Sequence, residues 1–261
     1  MYLIDSHCHL NDETLFPNRK QIILSAKEAG VGAFIVPGWD YDSSALAVQI
    51  AHEFDEVYAA VGFHPENLEN VSEDAILKIK ELTADPKVVA IGEIGLDYHW
   101  FKDEKDHDTQ KKWFIRQIDL ANELELPVSI HARDASEDLL TLLKQHPIVK
   151  GAVLHCYSGS TELLKEFSKL GYYFGFDGPV TYKNARVPKQ NAIECPLNKV
   201  LVETDSPYLP PVPHRGETNY PSYVKLVLEE IAKLRGIDVA ELTKQINENT
   251  KRLFHVELNY E

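Results

Sequence analysis

Histidines at short spacing are the residues of this sequence best suited to chemistry. The segment Asp5-Ser6-His7-Cys8-His9 places two histidines two positions apart, so in an extended chain both imidazoles point to the same side. Three further histidines, His64, His131 and His155, lie directly after short runs of apolar residues. Imidazole nitrogens are ligands for zinc, manganese, iron and nickel, so this pattern indicates a metal site.

Two acidic residues complete the predicted ligand set. Glu93 and Asp205 also follow apolar runs, and together with the histidines they offer more donors than one tetrahedral ion needs. We therefore predict two ions that share Glu93. The other ligands are His7, His9 and Asp205 for the first ion, and His131 and His155 for the second. The alternatives are a salt bridge for Glu93, a helix-capping role for Asp205 and hydrogen-bonded core positions for single histidines.

The chemistry predicted for two such ions is hydrolysis. Two ions about 4 Å apart share a hydroxide and stabilise both the attacking and the leaving oxygen of a phosphoryl displacement. The expected nucleophile is this metal-bound hydroxide. Asp205 is the candidate to orient or deprotonate it, and Glu93 acts as the bridge. His64 is predicted to lie at the mouth against the scissile phosphate or a leaving oxygen, with a structural His-Pro turn as the alternative.

Substrate contacts are predicted from basic and aromatic residues near the same strand ends. Arg133 and Arg215 each carry a bidentate guanidinium that could bind a phosphate, unless a neighbouring acid pairs with it. Tyr98, Trp100 and Phe101 could stack on bases, although packing is the commoner role for aromatic residues in such a loop.

An alternation of short strands and amphipathic helices must bring these residues together. Eight apolar runs alternate with helical patterns, and the seventh run, interrupted by Gly175, has the weakest strand pattern. The predicted strands are Tyr2–Ile4, Ala33–Pro37, Val57–Val61, Val88–Ile91, Pro127–Ile130, Ala152–Leu154, Tyr172–Phe176 and Val200–Val202. Eight parallel strands with intervening helices predict an α/β fold, a single (β/α)8 TIM-type barrel, whose strand ends converge on one face. A doubly wound open sheet is the alternative.

Serines mark several predicted helix starts. Ser43, Ser72, Ser136 and Ser160 precede helical patterns, and acidic residues that follow the last three complement the helix dipole. Gly171 is placed to end the helix that Ser160 begins. Further helices are predicted at residues 222–234 and 239–248.

Length, charge and cysteine usage bound the class of protein. The 261 residues suit one barrel domain spanning residues 1–261. The net charge of −14 argues against coating nucleic acid by bulk electrostatics, but a nuclease stays possible because bound ions and a few arginines can reverse the field inside a cleft. Three scattered cysteines and the lack of a leader or long apolar run favour a cytoplasmic protein without a membrane segment. A monomer without an obligate protein partner is expected. Cys8 and Cys156 alternate with the predicted ligands and should face the helix layer.

Five segments resemble the motifs of the TatD family of metal-dependent deoxyribonucleases, within the amidohydrolase-like superfamily. The resemblance covers essentially the whole chain, and the five segments in this order make it specific. They are Asp5-Ser6-His7-Cys8-His9-Leu10, Gly92-Glu93-Ile94-Gly95-Leu96-Asp97-Tyr98, His131-Ala132-Arg133-Asp134-Ala135, His155-Cys156-Tyr157-Ser158-Gly159 and Glu203-Thr204-Asp205-Ser206-Pro207-Tyr208-Leu209.

The resemblance implies an activity and its cofactors. It implies divalent-metal-dependent hydrolysis of DNA phosphodiester bonds, from the 3′ end or generally, with RNA as a further expected substrate. Magnesium or manganese is expected in function, while a histidine-rich site also suits zinc or nickel. The implied metal ligands are His7, His9, Glu93, His131, His155 and Asp205. One departure lies after His214-Arg215-Gly216, where the family often has basic residues and this sequence has Glu217-Thr218. The missing positive charge weakens the expected binding of a phosphate backbone.

Three other functions remain open for the same residues. A small-molecule amidohydrolase or lactonase is the first, but many binuclear members of that class use a carboxylated lysine at the fourth strand. No lysine lies between Val88 and Phe101, and Glu93 occupies the place. Ester hydrolysis on an aminoacyl-tRNA is the second. A metal-binding protein without turnover is the third.

Overall fold

Eight parallel strands form the centre of the molecule in a computed structural model that describes residues 2–258. Each strand pairs with its neighbour in sequence, in the order β1 to β8. The strands are β1 (Leu3–Asp5), β2 (Val31–Pro37), β3 (Val57–Val61), β4 (Val88–Asp97), β5 (Val128–Arg133), β6 (Ala152–Leu154), β7 (Tyr173–Phe176) and β8 (Val200–Val202).

The first and last strands meet and nearly close the sheet into a barrel. The Ser6 backbone N–H donates to the Val202 carbonyl at 3.2 Å. Just beyond the strand ends, the Thr204 N–H donates to the Asp5 carboxylate at 2.9 Å. The predicted (β/α)8 TIM-type barrel is therefore confirmed, and the doubly wound alternative is excluded because its strand order would reverse.

Helices lie between successive strands and after the last one. The helices in residues 2–258 are α1 (Arg19–Glu28), α2 (Tyr41–Glu53), α3 (Glu73–Leu82), α4 (Glu104–Leu124), α5 (Ser136–Gln145), α6 (Thr161–Lys169), α7 (Arg186–Glu194), α8 (Val224–Arg235) and α9 (Val239–Phe254). None of the helices in this part of the chain is long and apolar enough to cross a bilayer.

Two of the predicted helix starts are confirmed by capping hydrogen bonds. The side chains of Ser72 and Ser160 accept from backbone N–H groups in the first turns of α3 and α6. The helix start predicted at Ser43 was wrong, because α2 begins at Tyr41 and its N-cap is Asp40. Ser43 is the third helical residue and forms a capping box with Asp40. Ser136 is itself the first residue of α5, without a side-chain cap.

The barrel interior is filled from the end opposite the predicted site. Alternate residues of the strands, such as Ile4, Ile35 and Leu201, form an inner cluster with Phe254, the last residue of α9, and with Val256 just after it. The intervening strand residues pack outward against the helices in a second, larger cluster. The N-terminal end of the barrel is therefore packed with apolar side chains, and polar side chains occupy the other end.

Strands β4 and β5 are longer than the sequence indicates. Their pairing continues to Asp97 opposite Arg133, whereas the predicted strands ended at Ile91 and Ile130. The Gln110 side chain stabilises this extension, because it accepts from the Asp97 N–H at 2.8 Å and donates to the Asp97 carbonyl at 2.9 Å. His131 on β5 therefore lies within the sheet pairing, opposite Gly95, whereas Glu93 lies where the register of β4 and β5 shifts and donates its backbone N–H to the Gly38 carbonyl at 2.9 Å.

Candidate metal centre

The six predicted ligands converge at the C-terminal ends of the strands. Five of them border one open cavity of about 450 Å³. The sixth, His7, lies beneath it with 1% of its surface exposed. The elements that supply the set are the segments after β1 (His7, His9), β6 (His155) and β8 (Asp205), and the strands β4 (Glu93) and β5 (His131).

The first group is His7, His9 and Asp205. The two Nε2 atoms are 3.2 Å apart, and His9 Nε2 is 3.3 Å from Asp205 Oδ1. The backbone ties the group together, because the Asp205 N–H donates to the His7 carbonyl at 2.9 Å. The Asp205 carboxylate therefore faces imidazoles rather than capping a helix, and the three residues predicted for the first ion lie together.

The second group surrounds Oε1 of Glu93. His155 Nε2 lies 2.7 Å and His131 Nδ1 lies 2.9 Å from this oxygen. His64 Nε2 is 3.5 Å away, so His64, predicted at the mouth, also lies among the candidate ligands. The other Glu93 oxygen, Oε2, is 3.4 Å from His7 Nε2. Glu93 thus lies between the two groups and turns one oxygen to each.

Charges in the cluster are strongly coupled. Burial alone would raise the pKa of Glu93, but the surrounding imidazoles, His155 above all, outweigh it and hold the pKa well below its usual value. Burial lowers the pKa of His7 and of His64. Ionised carboxylate and neutral imidazole are the forms that bind metal, so these residues are already in their ligand states at neutral pH.

The pKa values of His131 and His155 are raised instead. Burial opposes their protonation, but Asp97 and Glu93 raise the pKa of His131, and Glu93 and Glu203 raise the pKa of His155. Protons therefore compete with an ion for these two imidazoles as the pH falls toward their raised pKa values, and the affinity for the ion should fall with it.

The donor chemistry of the cluster fits divalent ions. Three overlapping groups of ligand atoms each lie within 4.8 Å of one another, and they draw on the predicted ligands and on His64. Burying so many imidazoles and carboxylates together is costly unless cations neutralise and bridge them. Nitrogen and oxygen donors in this mixture suit manganese, iron, nickel or zinc.

Asp97 contacts the candidate site, although the sequence did not single it out beyond its motif. Its Oδ2 accepts from His131 Nε2 at 3.0 Å, which leaves His131 Nδ1 to face Glu93. A carboxylate on the outer nitrogen fixes the tautomer and orientation of a histidine ligand. The spacing in the sequence could have predicted this contact, because Asp97 lies four positions after Glu93 on β4 and so points to the same side of the strand.

Glu203 supports the other imidazole of the second group. It is fully buried, and Oε1 lies 3.5 Å from His155 Nδ1 while Oε2 accepts from the Ser6 hydroxyl at 3.2 Å. Gly175 provides the room, because a methyl group there would overlap this carboxylate. The glycine that weakened the seventh strand pattern is thus required by the site.

Of the two predicted phosphate-binding arginines, the structure brings only Arg133 to the cavity. Arg133 lines the cavity, and the adjacent Asp134 pairs with His99 at 3.0 Å rather than with Arg133. Arg215 is exposed, and its guanidinium lies 4.2 Å from the Tyr182 ring centre, outside the residues that line the cavity.

Most of the segment after β8 is held by its own contacts. His214 pairs with Glu217 at 2.9 Å, so this acid, which departs from the family pattern, is occupied within the segment. The Asn219 side chain donates to the carbonyls of Thr204 and Tyr208 and holds the chain around Asp205.

The two cysteines beside the ligands differ. Cys8 is buried in the outer core as predicted. The prediction for Cys156 was wrong: it is partly exposed and lines a cavity that also borders His131, His155 and Asp205. Its φ of +44° breaks the strand alternation on which the prediction relied.

Comparison with known proteins finds relatives that match nearly the whole chain. The TatD related DNase family matches residues 4–255. The uncharacterized metal-dependent hydrolase YabD of Bacillus subtilis (strain 168) is 45% identical, with 97% of this chain and 99% of YabD covered. YcfH of Escherichia coli (strain K12), also called an uncharacterized metal-dependent hydrolase, is 37% identical, with 98% of this chain and 97% of YcfH covered. The crystal structure of YjjV, the TatD homologue from Escherichia coli K12, is 32% identical and superposes with a TM-score of 0.92, covering 98% of each chain. The chain therefore belongs to the TatD family of metal-dependent hydrolases.

Proposed function

We propose that this metal-dependent hydrolase cleaves phosphodiester bonds of DNA, releasing nucleotides from the 3′ end. The observation that carries the proposal is Glu93, whose two oxygens each face a separate group of imidazoles at the floor of an open cavity. A carboxylate in this position suits two ions, the arrangement used for in-line displacement at phosphorus. The family description, TatD related DNase, supports the same substrate class.

Bound ions and protein side chains have different roles in the proposed reaction. When bound, two divalent ions activate a water molecule and stabilise the charge that develops on phosphate oxygens. Glu93, with the imidazoles of the predicted ligand set, would hold the ions at the cavity floor, and His64 is left for the substrate. Asp205 accepts the proton of the attacking water, because burial raises its pKa but His9 and His155 more than compensate and keep the carboxylate ionised.

His64 and Arg133 contact the substrate in this proposal. His64 lines the cavity, and burial lowers its pKa, so at neutral pH it is a neutral imidazole that can donate one hydrogen bond to the leaving oxygen. Arg133 offers its guanidinium fork to a phosphate of the same strand. Glu93 at the fourth strand, where a carboxylated lysine would serve many amidohydrolases, favours this branch over small-molecule amide hydrolysis.

The test is cleavage of single-stranded DNA labelled at the 3′ or the 5′ end. Metal-stripped protein is supplied with magnesium, manganese or zinc, beside Glu93→Ala and the matched surface variant Glu123→Ala. For the wild type we expect metal-restored loss of the 3′ label in the first turnover and stepwise shortening of the 5′-labelled strand. Glu123→Ala should keep this activity, and Glu93→Ala should lose it. Hydrolysis of p-nitrophenyl acetate or of an aminoacyl-tRNA with no DNA cleavage under any ion would overturn the proposal.

A further inference from the structure

Trp100 is an exposed aromatic residue beside the metal centre. It lies shortly after β4, and 64% of its surface is exposed. The Arg133 guanidinium lies 5.4 Å from its ring centre, and Arg133 in turn lines the cavity above the candidate ligands. One arginine therefore spans the distance from the cavity to an open indole face.

The turn that carries Trp100 is held in place by Asp97, the residue that also contacts the candidate ligand His131. Asp97 Oδ1 accepts from the backbone N–H groups of His99 at 2.8 Å and Trp100 at 3.2 Å, while Oδ2 binds His131. The His99 ring packs edge-on against the indole at 4.6 Å and is itself anchored to Asp134. These contacts fix the position of the Trp100 ring, although most of its surface is exposed and is therefore not packed against the core.

Positive charge is scarce around the cavity. Of the described residues that line this cavity or the one beside it, Arg133 alone is a lysine or arginine, whereas Asp12 and Glu66 add negative charge. The nearby cations have other partners: the Lys102 ammonium donates to the Tyr98 carbonyl at 2.7 Å, and Lys111 pairs with Asp138 at 2.7 Å. The residues that line these two cavities therefore offer no continuous row of basic side chains for a long phosphate backbone.

We infer that Trp100 and Arg133 form a subsite for a single nucleotide of the substrate. The guanidinium holds one phosphate, and the indole stacks on the base of the same nucleotide. The substrate is then recognised through its end, and short oligonucleotides are processed as well as long ones. This inference rests on the proposed phosphodiesterase function and adds the size of the recognised unit.

Two measurements on the wild type test the size of the unit. With oligothymidylates of two to twenty nucleotides, kcat/KM should be level beyond about three nucleotides. Because each phosphate contact to a single strand contributes about −0.7 to the slope of log affinity against log salt, one contact predicts a slope of about −0.7 for 1/KM. A KM that keeps falling with length, or a slope of −3 or steeper, would overturn the inference.

Variants test the two residues. Trp100→Ala should raise KM roughly 5- to 100-fold with kcat within about threefold, and Trp100→Phe should restore KM, because stacking needs only an aromatic face. Arg133→Lys should raise KM and leave the slope near −0.7, since charge is kept while the fork is lost. Arg252→Gln removes one charge from an exposed position on α9 and serves as the control. Wild-type KM in Trp100→Ala would refute the subsite.

A binding experiment separates this inference from the proposed function. The dinucleotide d(TpT) is titrated into metal-free protein, and quenching of tryptophan fluorescence is followed. Wild type and Arg252→Gln should show quenching, and Trp100→Phe should lose the part that comes from Trp100, while any part from Trp39, which lines the cavity, remains. If the wild type cleaves no oligonucleotide but this pattern holds, the proposed function fails and the subsite stands. If no quenching occurs in the wild type, the subsite is refuted whether or not DNA is cleaved.

Discussion

Replacing Asp97 by Asn should weaken the binding of one metal ion without unfolding the site. The carboxylate accepts from His131 Nε2 at 3.0 Å and keeps the proton on that nitrogen. An amide in the same place can turn its NH2 group to Nε2, which moves the proton to Nδ1, the nitrogen that faces Glu93. A hydrogen bond to a charged group contributes about 1.5–3 kcal/mol, so the affinity for this ion should fall about 10- to 100-fold.

Competition between the protein and a chelating dye for Mn²⁺ measures this effect. Wild type should bind two equivalents, and Asp97→Asn should retain one at wild-type affinity while the other is weakened. Asp138→Asn is the matched control, because Asp138 accepts from the Tyr98 hydroxyl at 2.9 Å and does not contact His131. Unchanged binding of both equivalents by Asp97→Asn would refute the assignment of Asp97 to His131.

The pH dependence of the same experiment has a defined sign. Burial lowers the pKa of His131, but Asp97 and Glu93 raise it above its usual value. In Asp97→Asn that pKa should fall, so protons compete less with the ion in the variant than in the wild type. The difference in affinity should therefore be largest at pH 8 and shrink as the pH falls through the His131 pKa. A difference that grows on acidification would contradict the reasoning.

Three further predictions concern the surrounding residues. Glu93→Gln should lose at least one bound equivalent of Mn²⁺ in the same dye assay and reduce hydrolysis at least about 100-fold, because the shared charge is gone. Gly175→Ala should lower the free energy of unfolding in urea by about 1–3 kcal/mol, because the added methyl group overlaps the Glu203 carboxylate. Burial, together with Glu203 and Asp205, raises the pKa of Asp177 well above its usual value, so wild type loses stability as the pH rises above the unfolded pKa of about 3.9. Metal-free Asp177→Asn should then be more stable than wild type at pH 8 by at least about 1.4 kcal/mol in urea titrations, and the gain should vanish at pH 3.

The positions of the candidate ligands could be predicted from the sequence because consecutive strands of a parallel barrel are neighbours and their C-terminal ends lie on one face. His7, His131 and Asp205 are far apart in the chain, yet each lies at the C-terminal end of a strand, and these ends meet on one face. Eight strand patterns and five histidines after them were therefore enough to predict the cluster. The division of the candidate ligands between two ions was predicted from the number of donors and stays a prediction, because one observed group joins His7 with Glu93 and His155.

The supporting residues were harder to predict because local geometry decides them. Cys156 was assigned to the helix layer by strand alternation, but a positive φ turns it toward a cavity. Glu203 and Gly175 depend on each other across two strands, which no single motif displays. Trp100 was only one of three neighbouring aromatic residues until its contact with Arg133 distinguished it.

Asp97 connects the metal centre to the proposed nucleotide subsite, and its two oxygens allow the two roles to be separated. Oδ2 binds His131, and Oδ1 holds the turn of Trp100. Asp97→Asn keeps an oxygen for the turn and should change metal affinity while KM stays near the wild-type value. Asp97→Ala removes both contacts and should change both quantities. Trp100→Ala should change KM alone. If Asp97→Asn raised KM as much as Trp100→Ala does, the indole would be placed by the metal ligands as a whole rather than by the Oδ1 hydrogen bonds.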